Sequence, residues 1–121
     1  MSSSRHKGVV FLADDDADLR ENLQDALEDA GYLVLPARSG TEALARMRGL
    51  SGAALAIVDL NMPGMDGWEL ISAMRADKEL ASIPVLVISS HGRDPVKGAN
   101  GFLRKPLALK ELLRAVQELL G

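Results

Sequence analysis

Apolar residues follow two rhythms along the chain. Short continuous runs occur at Val9-Val10-Phe11-Leu12-Ala13, Leu55-Ala56-Ile57-Val58 and Val85-Leu86-Val87-Ile88, with a shorter one at Gly101-Phe102-Leu103. Runs of this length, bounded by turn or helix signals, predict buried parallel strands. A further short strand is expected at Tyr32 to Leu35. The segments between them carry helical stripes. From Asp16 to Ala30 the apolar positions are Leu19, Leu23, Ala26, Leu27 and Ala30, and Gly31 ends the helix. Ser39 and Glu42 predict a capping box opening a helix with Ala43, Leu44 and Met47 on one face. The loop from Asn61 to Gly67 leads into a helix with Leu70, Ile71 and Met74. The last helix is expected from Leu107 to Leu120, with its stripe at Leu109, Leu112, Leu113, Val116, Leu119 and Leu120. Strands alternating with helices predict an α/β domain whose parallel sheet is covered on both faces.

One segment breaks the alternation. Between Ser90 and Phe102 there are three glycines, one proline and only two apolar side chains, Val96 and Ala99. Asp94 and Pro95 offer a cap and a first turn, but Gly98 stops a helix almost at once. The crossover between the fourth and fifth strands is therefore expected to have its helix shortened or absent.

Composition narrows the function classes. A chain of 121 residues, 47% hydrophobic, predicts one globular domain, here 8–121 after a flexible leader at 1–7. The net charge of −3 and the lack of a long basic run point away from direct nucleic-acid binding. The absence of cysteine excludes disulfides and thiolate chemistry. No apolar run reaches the roughly 18 residues of a membrane span. The leader lacks a signal-peptide core, so the expected location is cytoplasmic.

The chemistry lies where the runs stop. Polar residues follow the four strands: Asp14 and Asp15, Asp59, Ser89 and Lys105. In an open parallel sheet the carboxyl ends of the strands share one crevice. Three carboxylates, a hydroxyl and an ammonium are thus expected to converge. Clustered carboxylates repel one another unless a cation joins them. All-oxygen ligands favour Mg2+, Mn2+ or Ca2+ over zinc, and three carboxylates with no histidine suit Mg2+ best, with Mn2+ possible. Asp16 and Asp18 read instead as acids of the first helical turn. Trp68 is expected to pack at a helix start.

Four blocks then combine: Phe11-Leu-Ala-Asp14-Asp15-Asp16, Val58-Asp59-Leu-Asn61-Met62-Pro63-Gly64-Met-Asp66-Gly67, Pro84-Val-Leu-Val-Ile-Ser89-Ser90 and Phe102-Leu-Arg-Lys105-Pro106. In this order the chain resembles a response-regulator receiver domain from Gly8 to the end. The resemblance implies a doubly wound, flavodoxin-like sheet of order 2-1-3-4-5. It implies that Asp59 accepts a phosphoryl group from a histidine kinase or a histidine phosphotransfer protein. Asp15, Asp59 and the Asn61 carbonyl would hold the metal, and Asp14 would act through water. Lys105 would pair with Asp59 and later with the phosphoryl group, and Ser89 would bond that group. Ser89 and Phe102 would form the switch, and Asn61 and His91 would tune phosphoryl lifetime. The Lys105-Pro106 bond would be cis, as in the family. A monomer or a phosphorylation-dependent dimer is expected, with the downstream protein partner unspecified.

The family usually signals through its fourth helix, fifth strand and fifth helix. The stripped crossover therefore predicts an altered output face, with one flank of the fourth and fifth strands poorly covered. No effector is expected after the last helix, and a stand-alone regulator and a receiver belonging to a larger sensor both stay open. Two other functions remain as alternatives. A receiver-like interaction module would signal without phosphorylation, and stable labelling at Asp59 separates the two. A haloacid-dehalogenase-type phosphatase would use Asp14 as nucleophile, but it leaves Asp59 without a role; steady turnover of a phosphate ester would identify it.

Overall fold

The computed structural model describes residues 7–49, 52–91 and 96–120. Residues 1–6 of the expected leader lie outside these, as do Asp94 and Pro95. The elements in chain order are β1 Val9–Ala13, α1 Ala17–Asp29, β2 Leu33–Ala37, α2 Gly40–Arg48, β3 Ala53–Asp59, α3 Gly67–Ala76, β4 Val85–Ser89, β5 Gly101–Arg104 and α4 Leu109–Leu120. All neighbouring strands pair in parallel, in the order β2-β1-β3-β4-β5. This is the doubly wound order in which chain direction across the sheet reverses at β1, between β2 and β3.

Side-chain alternation along the strands divides the core in two. On one face Phe11, Ala56, Val58, Val85 and Val87 pack against α2 and α3 through Leu44, Met47, Leu70, Ile71 and Met74. On the other, Val10, Leu12, Leu55, Ile57, Leu86 and Ile88 pack against α1 and α4 through Leu23, Leu27, Leu112 and Val116. β4 is buried along its whole length, which explains its unbroken apolar run. β2 lies at the sheet edge, where Pro36 costs no ladder bond.

Local signals set the helix ends. Asp16 caps α1, its carboxylate accepting from the Leu19 N–H at 3.2 Å. At the other end Gly31 takes φ +103°, and the N–H groups of Gly31 and Tyr32 close onto the carbonyls of Glu28 and Leu27. This double closure needs a left-handed residue at that position.

Several boundaries differ from expectation. β2 runs two residues further than Leu35, because its edge pairing with β1 continues to Ala37. α4 begins at Leu109 rather than Leu107, and Leu109 is 47% exposed instead of joining the buried stripe. The Ser39 side chain does cap the Glu42 N–H at 3.1 Å, but Glu42 reaches back to the Arg38 N–H at 2.7 Å. The reciprocal capping box occurs instead at Asp66 and Glu69 in α3.

The crossover from β4 to β5 has no helix among its described residues. β4 is buried along its length, whereas β5 is only partly covered, ending at an exposed Arg104. Val96 is buried, and Ala99 and Phe102 pack against the same core cluster. Arg75 of α3 fastens the segment. Its Nε and Nη2 donate to the Gly98 carbonyl at 3.0 and 2.6 Å, and Nη2 also reaches Asn100 Oδ1 at 3.0 Å. Its Nη1 donates to the carbonyls of Ala81 and Ile83 at 2.9 and 2.8 Å. Gly98, at φ +85°, lies so close to α3 that an added Cβ would stand 2.8 Å from Ile71 Cγ2. One arginine and a glycine contact thus hold the described part of the crossover against α3, while β5 itself stays only partly covered. Trp68 is 46% accessible, not packed at its helix start as expected. No helix of the described chain is long and apolar enough to cross a membrane.

Candidate functional site

β1, β3, β4 and the segment after β5 bring their ends to the same edge of the sheet. Asp14, just past β1, is fully buried; Asp59, the last residue of β3, is 4% exposed; Ser89, the last of β4, is fully buried. Asp15 is exposed beside them. Carboxylate oxygens of Asp14, Asp15 and Asp59 lie within 4.8 Å of one another. Lys105 Nζ reaches into this group, 2.9 Å from Asp14 Oδ2 and 3.3 Å from Asp59 Oδ2. The Lys105-Pro106 bond is cis. The lysine was expected to pair with Asp59, and it bridges both buried acids, standing nearer to Asp14.

Backbone N–H groups hold the remaining carboxylate oxygens. Asp14 Oδ1 accepts from the Asp16 N–H at 2.9 Å, and Asp59 Oδ1 from the Asn61 N–H at 3.2 Å. These two turns fix each carboxylate at the start of the loop that follows its strand. Arg20 adds a support that strand-end reasoning did not identify. Its Nη1 donates to the Asp14 carbonyl at 2.7 Å from one turn into α1. A lone arginine on a helix face carries no sequence signal for such a contact.

The electrostatics follow from these distances. Burial, and then the neighbouring charge of Asp14, push the Asp59 carboxyl above its usual range, against the Asn61 N–H and Lys105. Burial alone would lower the Lys105 ammonium, but its bond and attraction to Asp14, and then Asp59, outweigh this and raise it. Three carboxylates and one ammonium leave two negative charges at the cluster. Hard oxygen donors with that deficit fit a divalent cation of the Mg2+ type.

Ser89 Oγ accepts from the His91 N–H at 3.0 Å, so its own proton is available to a further acceptor. Along β4, Ser89 is two residues past Val87, whose register partner on β5 is Phe102. The two side chains thus lie toward the same sheet face. Phe102 is partly buried there, with the Arg104 guanidinium 5.8 Å from its ring centre. Asn61 and the His91 side chain are exposed at the rim.

A five-stranded parallel sheet in this order, with an acid cluster and a lysine at its carboxyl edge, is the architecture of a doubly wound α/β receiver-type domain. The family model for the response regulator receiver domain matches residues 10–117, and the chain belongs to that family. It is 41% identical over 117 residues to the C4-dicarboxylate transport transcriptional regulatory protein DctD of Rhizobium meliloti, covering 89% of this chain and 24% of that protein. It is 35% identical to the transcriptional regulatory protein FixJ of Bradyrhizobium diazoefficiens, covering 83% of this chain and 50% of that one. Among solved structures, the chemotaxis protein CheY4 of Vibrio cholerae superposes with a TM-score of 0.86 at 32% identity, covering 93% of this chain and 98% of CheY4. The chain thus spans about a quarter of DctD and half of FixJ.

Proposed function

We propose that Asp59 accepts a phosphoryl group from a phosphohistidine on a kinase or phosphotransfer protein. The observation that carries this reading is the bridging ammonium. Lys105 contacts a buried Asp59 whose surroundings already hold two more carboxylates, an arrangement suited to gathering a cation and a phosphoryl group. Mg2+ held by Asp15, Asp59 and the Asn61 carbonyl, with Asp14 acting through water, would supply the positive charge that phosphoryl transfer needs.

The chain's own residues do the positioning. The Asn61 N–H fixes one Asp59 oxygen and leaves the other facing Lys105. The free oxygen forms the new P–O bond as the P–N bond to the donor breaks, and the imidazole nitrogen keeps the electron pair. Lys105 then follows the new charge as a point cation. The Ser89 hydroxyl turns its proton to a phosphoryl oxygen, and the shared face with Phe102 passes that movement to β5. Asn61 and His91 stand at the rim, where they control water access and so phosphoryl lifetime. The domain is regulatory rather than a turnover enzyme, and its expected setting is the cytoplasm.

The raised Asp59 carboxyl yields a stability prediction. An acid whose folded-state value lies above its unfolded one weakens the fold as pH rises through that window. Asp59→Asn removes the effect. At pH 7 without metal the variant is expected to melt a few degrees above the wild type, and the gap should close as pH falls through the carboxylate range. Thermal melts from pH 3 to 8 in EDTA check this. A variant less stable at neutral pH than at acid pH, relative to the wild type, would contradict it.

The function itself is tested by intact mass after incubation with Mg2+ and acetyl phosphate. The wild type should gain one phosphoryl group, and Asp59→Asn none.

A further inference from the structure

Three arginines line one cleft beyond the carboxyl end of β2, one strand from the acid cluster. Arg20 comes from α1, Arg38 from the turn after β2 and Arg46 from α2. With Pro36, Ala37 and Glu42 they line a cleft of about 240 Å³. Each guanidinium has five N–H donors. Arg20 Nη1 donates to the Asp14 carbonyl, and Arg46 Nη1 donates to the Pro36 carbonyl at 2.8 Å. Arg46 Nη2 also stands 3.5 Å from Glu42 Oε2. The Arg38 side chain has no hydrogen bond or ion pair among the described residues. Donors therefore exceed acceptors.

Among the described residues, Glu42 is the one carboxylate lining the cleft. The Arg38 N–H holds it below its usual range, and the charges of Arg46, Arg38 and Arg20 add to this against the effect of burial. All three arginines thus act on one point. Three cations and one anion leave a charge of +2 there, in a chain whose net charge is −3.

We propose that this cleft binds a small phosphate-bearing dianion. The charge matches a dianion rather than a carboxylate. Planar forks arriving from three elements suit the several oxygens of a phosphate. The volume holds a phosphate group with several waters, at about 30 Å³ each, and falls below the roughly 300 Å³ of a typical organic-ligand pocket. The cleft is also joined to the acid cluster, because Asp14 donates its N–H to the Ala37 carbonyl while its own carbonyl holds Arg20. A bound phosphate would therefore lie against the same backbone segment that carries Asp14.

The test is a 15N-resolved titration of the full chain with inorganic phosphate, and separately glycerol phosphate, in EDTA at constant ionic strength. Saturable shifts are expected at the N–H groups of Arg38, Ser39 and Glu42, with a dissociation constant on the order of millimolar. A response to inorganic phosphate alone would identify the free ion as ligand, and one to both would identify a phosphate monoester. Arg38→Gln and Arg46→Gln should each weaken binding on the order of tenfold. Lys97→Gln, a cation outside the cleft, should leave it unchanged, with thermal melts confirming that all three variants fold. Linear shifts, shifts centred on Lys105, an equal loss in Lys97→Gln or equal binding of acetate would each overturn the proposal.

Discussion

Lys105→Met should destabilise the metal-free protein at pH 7 by about 3–5 kcal/mol, the usual result of leaving a buried charge without its partner. Methionine keeps the length of the stem, so the loss falls on charge rather than volume. Asp14, fully buried, would keep the Asp16 N–H and lose its ammonium at 2.9 Å. Asp59 would keep the Asn61 N–H and lose the same ammonium. Without that cation the Asp59 carboxyl moves further above its usual range. Because an acid raised in the fold weakens it as pH increases, the deficit should be smallest at acid pH and complete at neutral pH. Mg2+ should restore part of it. Urea titrations at several pH values, with and without Mg2+, measure all three effects. A loss below about 1 kcal/mol at pH 7 would mean that the acids do not depend on the lysine.

Arg75→Ala should have the second-largest effect, about 2–4 kcal/mol, although the residue is far from the acid cluster. Its five hydrogen bonds run to three backbone carbonyls and one side-chain oxygen. That oxygen, Asn100 Oδ1, also accepts the Val85 N–H at 2.8 Å, and the Asn100 N–H returns to the Val85 carbonyl at 2.8 Å. Loss of the arginine should therefore loosen the start of β4 and the start of β5 together. Arg75→Lys should rescue little, because one ammonium cannot reproduce a planar fork. Hydrogen exchange should quicken at Val85 and Asn100 but not in α1. A variant that melts like the wild type would show that Val96 and Ala99 alone hold the crossover.

The parts of the fold that were legible in sequence share one physical cause. β1, β3 and β4 are buried on both faces, so their apolar runs are unbroken and their ends sharp. Those sharp ends made Asp14, Asp59 and Ser89 visible as strand-end groups, Lys105 followed the shorter and partly exposed β5, and the structure brings the three carboxylates and the lysine together. The edge strand β2 is only half covered, and its limits were misplaced. The Glu42 contact was misassigned because a glutamate near a cap has two backbone N–H groups within reach, and local sequence does not rank them. Arg20, Arg75 and Asn100 were not found at all. Each acts through a long side chain or a single amide on partners distant in sequence, and no periodicity marks such contacts. The loss of the crossover helix was readable from its glycines. What replaced the helix was not, since it depends on α3 lying close enough for Arg75 to reach across.

The most direct test of the central claim is stoichiometric phosphorylation at Asp59. Wild type and Asp59→Asn are incubated with Mg2+ and acetyl phosphate, and intact masses are read beside Trp68 fluorescence with beryllofluoride. One added phosphoryl group in the wild type, none in the variant, and a fluorescence change in the wild type alone are the expected results. An unmodified wild type whose Trp68 ignores both Mg2+ and beryllofluoride would contradict the phosphoacceptor account and leave a domain that signals by contact alone.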